Sequence, residues 1–208
     1  MSGIVTQNAL GNSGLVKAVE AGGGTWVEIK TLTSDGSDAT LSFVNGTSDV
    51  VFDSTYPVYC LRFINIHPET ENVVFEYNFT TDGSNWNVTK TTVAWRAFHN
   101  ESGGSGVLDY QTAKDLAQGT GFQAITWDVE NDADASTSGE LFVFSPASTT
   151  FVKHFMHRSN GMHSNPASFT NFTAGYCNTT SAVTGIQFKM SSGEIQDGKI
   201  KLFGIKDS

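Results

Sequence analysis

The 208 residues carry 21 Asp and Glu against 12 Lys and Arg, a net charge of 12 − 21 = −9. A chain this acidic, with no basic stripe, repels a phosphate backbone, so nucleic acid is excluded as the expected partner. Charged residues make only 16% of the chain and hydrophobic ones 38%. Thr, Ser, Asn and Gly must therefore cover much of the surface, a composition that suits pleated strands better than helices.

Residues 1–24, MSGIVTQNALGNSGLVKAVEAGGG, contain no aromatic residue, hold no sustained period and end on three glycines. Ile4, Val5, Leu10, Leu15 and Val16 make the segment too apolar for a solvating tail. The expectation is an extended anchoring arm, hinged at Gly22, Gly23 and Gly24, that becomes ordered only against a partner surface. The segment lacks the basic start and continuous apolar run of a signal peptide, and no stretch approaches the ~20 apolar residues of a membrane span. Synthesis in a cytoplasm, without membrane insertion, is expected.

From Trp26 onward, strand patterns recur between turns. TWVEIKTLT alternates, and DATLSFVN puts Leu41 and Phe43 on one face. YPVYCLRFINI places Val58, Cys60, Ile64 and Ile66 on one side and Tyr59, Leu61 and Phe63 on the other, so both faces are apolar and a central strand is predicted. In NVVFEYNFTTDGSNWNVTKTTVAWRAFH, Phe75, Tyr77 and Phe79 share a face, and TDGSN reads as the turn of a hairpin. GVLDYQTAKDLAQ fits a short helix through Val107, Leu108 and Leu116, weakened by Thr112 and the flanking glycines. GELFVFSP, TTFVKHFMHRS and ASFTNFTAGYCN are further strands. The ending GIQFKMSSGEIQDGKIKLFGIKDS reads as a final core hairpin: Ile186, Phe188 and Met190 on one strand, Ile200 and Leu202 on the other, and Ile195 plugging the connection. The fold class is an all-β antiparallel sandwich of jelly-roll type, one domain over residues 25–208 behind the arm.

Few residues point to chemistry. In HFMHRSNGMH, His154 and His157 fall on opposite faces of a strand and cannot share a zinc ion unless the strand bends or His163 folds back. Asp128, Glu130, Asp132, Asp134 and Glu140 lack the glycine of a calcium loop; a solvated acidic loop is the reading, with a loosely held Ca²⁺ as the alternative. There is no nucleophile elbow, no Cys–His pair in a recognisable setting and no phosphate-cradling glycine loop. No catalytic residue, cofactor or metal is assigned, and an enzyme is not expected. Cys60 and Cys177 read as small buried hydrophobes rather than a disulfide. Trp86 and Trp127 adjoin loops and Tyr110 lies beside one, so these three are the candidates for surface recognition by stacking on sugar rings. Trp95 reads as packing between the sheets.

The ending AVTGIQFKMSSGEIQDGKIKLFGI resembles a pattern recurrent in virion proteins of tailed bacteriophages, marine ones above all. IHPETE at 66–71, STTFVKHF at 148–155, GY with NTT at 175–180, and the opening SGIVTQNALGNSGLVKA are similar as well. The resemblance implies a non-enzymatic virion component: a tail-fibre or adhesion-device subunit that docks by its arm and presents the sandwich to the host surface. A capsid decoration protein on the phage head is the alternative, and a lectin-like carbohydrate-binding module a further one. Implied partners are further copies of the chain in a homotrimer, tail or major capsid proteins, and a host cell-surface glycan.

Overall fold

The structure, a computed structural model, describes residues 25–163 and 165–207. The expected arm and its residues Ile4, Val5, Leu10, Leu15 and Val16 lie outside the described residues. Twelve strands follow in order: β1 Trp26–Thr33, β2 Leu41–Val44, β3 Val58–Pro68, β4 Phe75–Thr80, β5 Lys90–Asn100, β6 Gly106–Tyr110, β7 Gln123–Ala124, β8 Thr137–Phe144, β9 Lys153–His163, β10 Ala167–Cys177, β11 Gly185–Met190 and β12 Ile195–Ile205. They form an eight-stranded sheet, ordered β1-β12-β3-β8-β9-β10-β5-β6, and a four-stranded sheet, ordered β2-β11-β4-β7. All named pairings are antiparallel.

The order resolves into a jelly roll with an extension. The half-sheet β1-β12-β3-β8 faces β2-β11-β4-β7. Numbered along the chain without the remaining four strands, these read 1-8-3-6 over 2-7-4-5, the two interlocked Greek keys of a jelly roll. Two hairpins are inserted into that frame, β5–β6 between β4 and β7 and β9–β10 between β8 and β11. They widen one sheet only.

The core lies where apolar faces meet. Leu41 and Phe43 of β2, Phe75, Tyr77 and Phe79 of β4, and Ile186, Phe188 and Met190 of β11 pack on Tyr59, Leu61, Phe63 and Ile66 of β3 and on Ile200 and Leu202 of β12. Phe75 stacks on Phe188 with centroids 5.8 Å apart, and Phe63 meets Phe75 edge-on at 5.7 Å. Ile66 joins the Tyr59 face rather than the Cys60 face expected for it. The register slips between Phe63 and Ile66, and Asn65 takes a φ of 52°. This bulge turns the following side chain to the other face. Opposite it, Gly198 has a φ of 115°, and a Cβ there would sit 2.6 Å from the Asn65 carbonyl oxygen, so glycine is required.

Three local expectations are corrected. TDGSN does turn the chain, with Asp82 Oδ1 accepting from the amides of Ser84 (2.9 Å) and Asn85 (2.8 Å). It leads, however, from β4 in the small sheet to β5 in the large one, so no hairpin forms. Likewise β11 and β12 are neighbours in sequence but belong to opposite sheets. Their apolar faces meet across the core instead of sharing a ladder, and Ile195, fully buried, opens β12. The stretch considered for a helix forms strand β6 followed by turns.

Candidate interaction face

The structure separates the residues predicted for surface recognition. Trp127 is 2% exposed and packs on Phe169 at 6.4 Å, so it is a core residue and not a recognition residue. The reason is the path of residues 123–130: β7 pairs with β4, and Val129 bridges both Val73 and His163, which lays this segment over the inner face of the inserted hairpins. Trp86 is half-buried, with its carbonyl accepting from Asn78 Nδ2 at 2.6 Å. Tyr110 stands on β6, half-exposed, its hydroxyl donating to Asp115 Oδ2 at 2.5 Å. Trp95 is the reverse of Trp127: expected inside, it is 37% exposed on the outer face of the large sheet.

The polar clusters also disperse. His154 is exposed and His157 buried, on opposite faces as the alternation demands, while His163 pairs with Asp128 at 3.4 Å. Glu140 leaves the acidic loop altogether: it sits on β8 and binds Arg158 at 2.9 Å. Glu130 has its carboxyl pushed upward, first by burial and then by Glu71 and Asp132. Among the described residues no group of three or more His, Cys, Asp and Glu converges to hold a metal ion.

Strand register assembles what the sequence scattered. Tyr110, Trp95, Phe172, Arg158, Glu140, Arg62 and Lys201 lie side by side across β6, β5, β10, β9, β8, β3 and β12, all on the outer face. One half of the row is aromatic and the other ionic. Trp95 and Phe172 are stacked, 5.4 Å between centroids and 10° between planes. Two residues along each strand, Val93, Ala174, Met156, Phe142, Cys60 and Phe203 form a second, apolar row. Trp26 closes it at the sheet edge, edge-on to Phe203 at 5.9 Å and under the Arg62 guanidinium at 4.7 Å. Met156 is 48% and Val93 45% exposed. Two concavities of about 370 and 450 Å³ flank Met156 and Ala174, one walled by Trp95 and Phe172, the other by Val93 and Tyr176. Outward Trp, Tyr, Phe, Met and Arg make the composition of a contact surface rather than of an ordinary solvated one.

The inner face of the same hairpins is closed and polar. Lys90 and Lys153, both fully buried, flank Cys177 in one row of β5, β10 and β9. The Lys90 ammonium donates to Asn78 Oδ1 and, at 2.7 Å, to the Val88 carbonyl; burial pulls its pKa down to about 8. Burial likewise holds the His157 imidazole down to about 3, so it stays neutral at neutral pH. Both cysteines are free and buried, and burial pushes each thiol up to about 12. A thiolate is the reactive form. A disulfide-exchange reagent at pH 8 is therefore expected to label neither thiol in the folded protein and both in denaturant; fast labelling of the folded chain would contradict the burial.

The chain matches no protein-family model, no curated protein and no solved structure.

Proposed function

We propose that the protein is a non-enzymatic structural subunit of a bacteriophage virion, a tail-fibre or adhesion-device component. It docks by residues 1–24, assembles as a homotrimer, and presents the outer face of the large sheet to a host cell-surface glycan. One observation carries the contact role: the outward-facing Tyr110–Trp95–Phe172 run, continued by Arg158 and Glu140. Aromatic faces stack on the C–H faces of sugar rings, and a neighbouring guanidinium–carboxylate pair offers donors and acceptors to hydroxyls. The resemblance to phage virion proteins supplies the setting.

Purified full-length protein added to host cells before infection is expected to block adsorption of the phage. The Trp95→Ala, Tyr110→Ala double variant should need roughly 10- to 100-fold more protein for the same block, from two lost aromatic contacts. An unchanged block by the variant would overturn the assignment of the face. Quantitative mass spectrometry of the particles tests the location: tens of copies fit a tail device, hundreds the capsid decoration alternative.

A further inference from the structure

We propose that the side-chain amine of Lys90 and the carboxamide of Asn78 condense to an intramolecular isopeptide bond, a covalent staple between the two sheets. The residues are 12 apart in the chain but belong to different sheets, Asn78 to β4 and Lys90 to the start of β5. Both are fully buried, and Lys90 Nζ stands 2.5 Å from Asn78 Oδ1, the oxygen bonded to the carbon it would attack.

Three features set this pair apart from an ordinary hydrogen bond. The first is charge. Among the described residues no carboxylate pairs with Lys90. Its ammonium has the Asn78 oxygen and, at 2.7 Å, the Val88 carbonyl as acceptors. A buried ammonium without a counter-ion is costly. Burial pulls the group down to about 8, so the neutral, nucleophilic amine is accessible near neutral pH. Condensation removes the charge altogether.

The second is the setting of the carboxamide. The Phe79 amide donates to Asn78 Oδ1 at 2.9 Å, where negative charge develops when the carbon is attacked. Asn78 Nδ2 donates to the Trp86 and Thr120 carbonyls at 2.6 and 3.0 Å, which fixes the plane of the group. The third is proximity. A nucleophile and an electrophile held together out of water react with effective molarities of about 10⁵–10⁸ M where the geometry is favourable.

The step balances without an oxidant or a co-reactant. The lone pair of neutral Nζ forms a bond to Asn78 Cγ, and the carbonyl π pair moves onto Oδ1. That pair returns as the Cγ–Nδ2 bond breaks. One proton passes from Nζ to Nδ2, which leaves as ammonia, and the product is a secondary amide. Lys153 is the internal comparison. It is equally buried, but it donates to the Thr179 carbonyl at 3.1 Å and touches no carboxamide among the described residues, so it stays a free amine.

Peptide mapping of the full-length protein, held slightly above neutral pH until its mass is constant, tests the bond. Trypsin does not cut after an acylated lysine, and no Lys or Arg lies between Arg62 and Lys90. Residues 63–96 should therefore emerge as one peptide, lighter than its sequence by about 17 Da, the mass of the ammonia displaced by the amine. Chymotryptic cleavage after Trp86 should add one water to that peptide without releasing two pieces. Cyclisation at Asn45–Gly46 also expels ammonia, but it would lighten the peptide 31–62 instead. Lys90→Arg should restore the cut after residue 90 and the full mass, whereas Lys153→Arg should keep the light peptide. The masses are read on the denatured chain, and the result for the parent stands whether or not Lys90→Arg folds. Recovery of the parent's peptide 63–90 at full mass, separation of two pieces after the cut at Trp86, or the same lightening in Lys90→Arg would each overturn the proposal.

Discussion

Phe188→Ala is expected to lower the stability of the sandwich by about 3–5 kcal/mol, and Leu202→Ala by about 2–5 kcal/mol, as read from urea unfolding. Phe188 is fully buried on β11 and touches four aromatic rings: Phe43, Phe75 and Tyr77 of its own sheet and Phe63 of the other. Truncation removes the ring's transfer energy and leaves a cavity between two sheets that cannot close on it independently. Leu202 faces the same core from β12. The two losses need not add, because they empty parts of one cluster. Variants that unfold at the parent's urea midpoint would mean that β11 and β12 do not face one another across the core.

Much of this core could be read from alternation alone. Phe75, Tyr77 and Phe79, or Ile186, Phe188 and Met190, repeat with period two and are all buried. Pairing was harder, because it is non-local. The Asp82 turn has the chemistry of a hairpin, but β4 pairs with β11, more than a hundred residues away, and with β7, not with the β5 that follows the turn. Turn residues report the local path of the chain; they do not say which strand lies beside which. The bulge at Asn65 is a similar case: a one-residue slip invisible in the pattern moves Ile66 between faces.

Trp95 escapes the ordinary alternation rule for a specific reason. On β5 the inward residues Lys90, Thr92 and Ala94 are polar or small, while the outward Val93 and Trp95 are apolar. Ordinary alternation assigns that strand inside out. The inward polar groups are tolerated because residues 111–127 cover them with partners: Thr92 Oγ1 donates to Gln123 Oε1 at 2.8 Å, and the Leu116 amide donates to Thr92 Oγ1 at 2.8 Å. The same cover buries Trp127. A strand with a lysine and a threonine on the face opposite a valine and a tryptophan is therefore a signal in itself: either face can be the inner one, and the aromatic one is a candidate for contact.

Acid should expose the other consequence of that polar interior, through His157. Its ring is 3% exposed, lies edge-on to Tyr77 at 5.8 Å, and faces Thr173 on β10 and Leu141 on β8. None of these three neighbours changes charge between pH 3 and 7. Burial holds the imidazole down to about 3 in the folded chain, against 6.5 for an ordinary histidine. Between those values the unfolded chain binds a proton that the folded chain does not, so folding is favoured less as pH falls. The contribution is complete above pH 6.5 and is lost progressively toward pH 3, at up to about 1.4 kcal/mol per pH unit, or about 4–5 kcal/mol in all. Carboxylates also titrate in this window, so the useful measurement is a difference. His157→Leu keeps the volume and removes the titration. Relative to that variant, the parent should lose about 2–3 kcal/mol of urea-unfolding stability between pH 6.5 and pH 4.5. Parallel stability curves for the two proteins would show that the imidazole accepts a proton in place, and that the interior of the inserted hairpins is open to water.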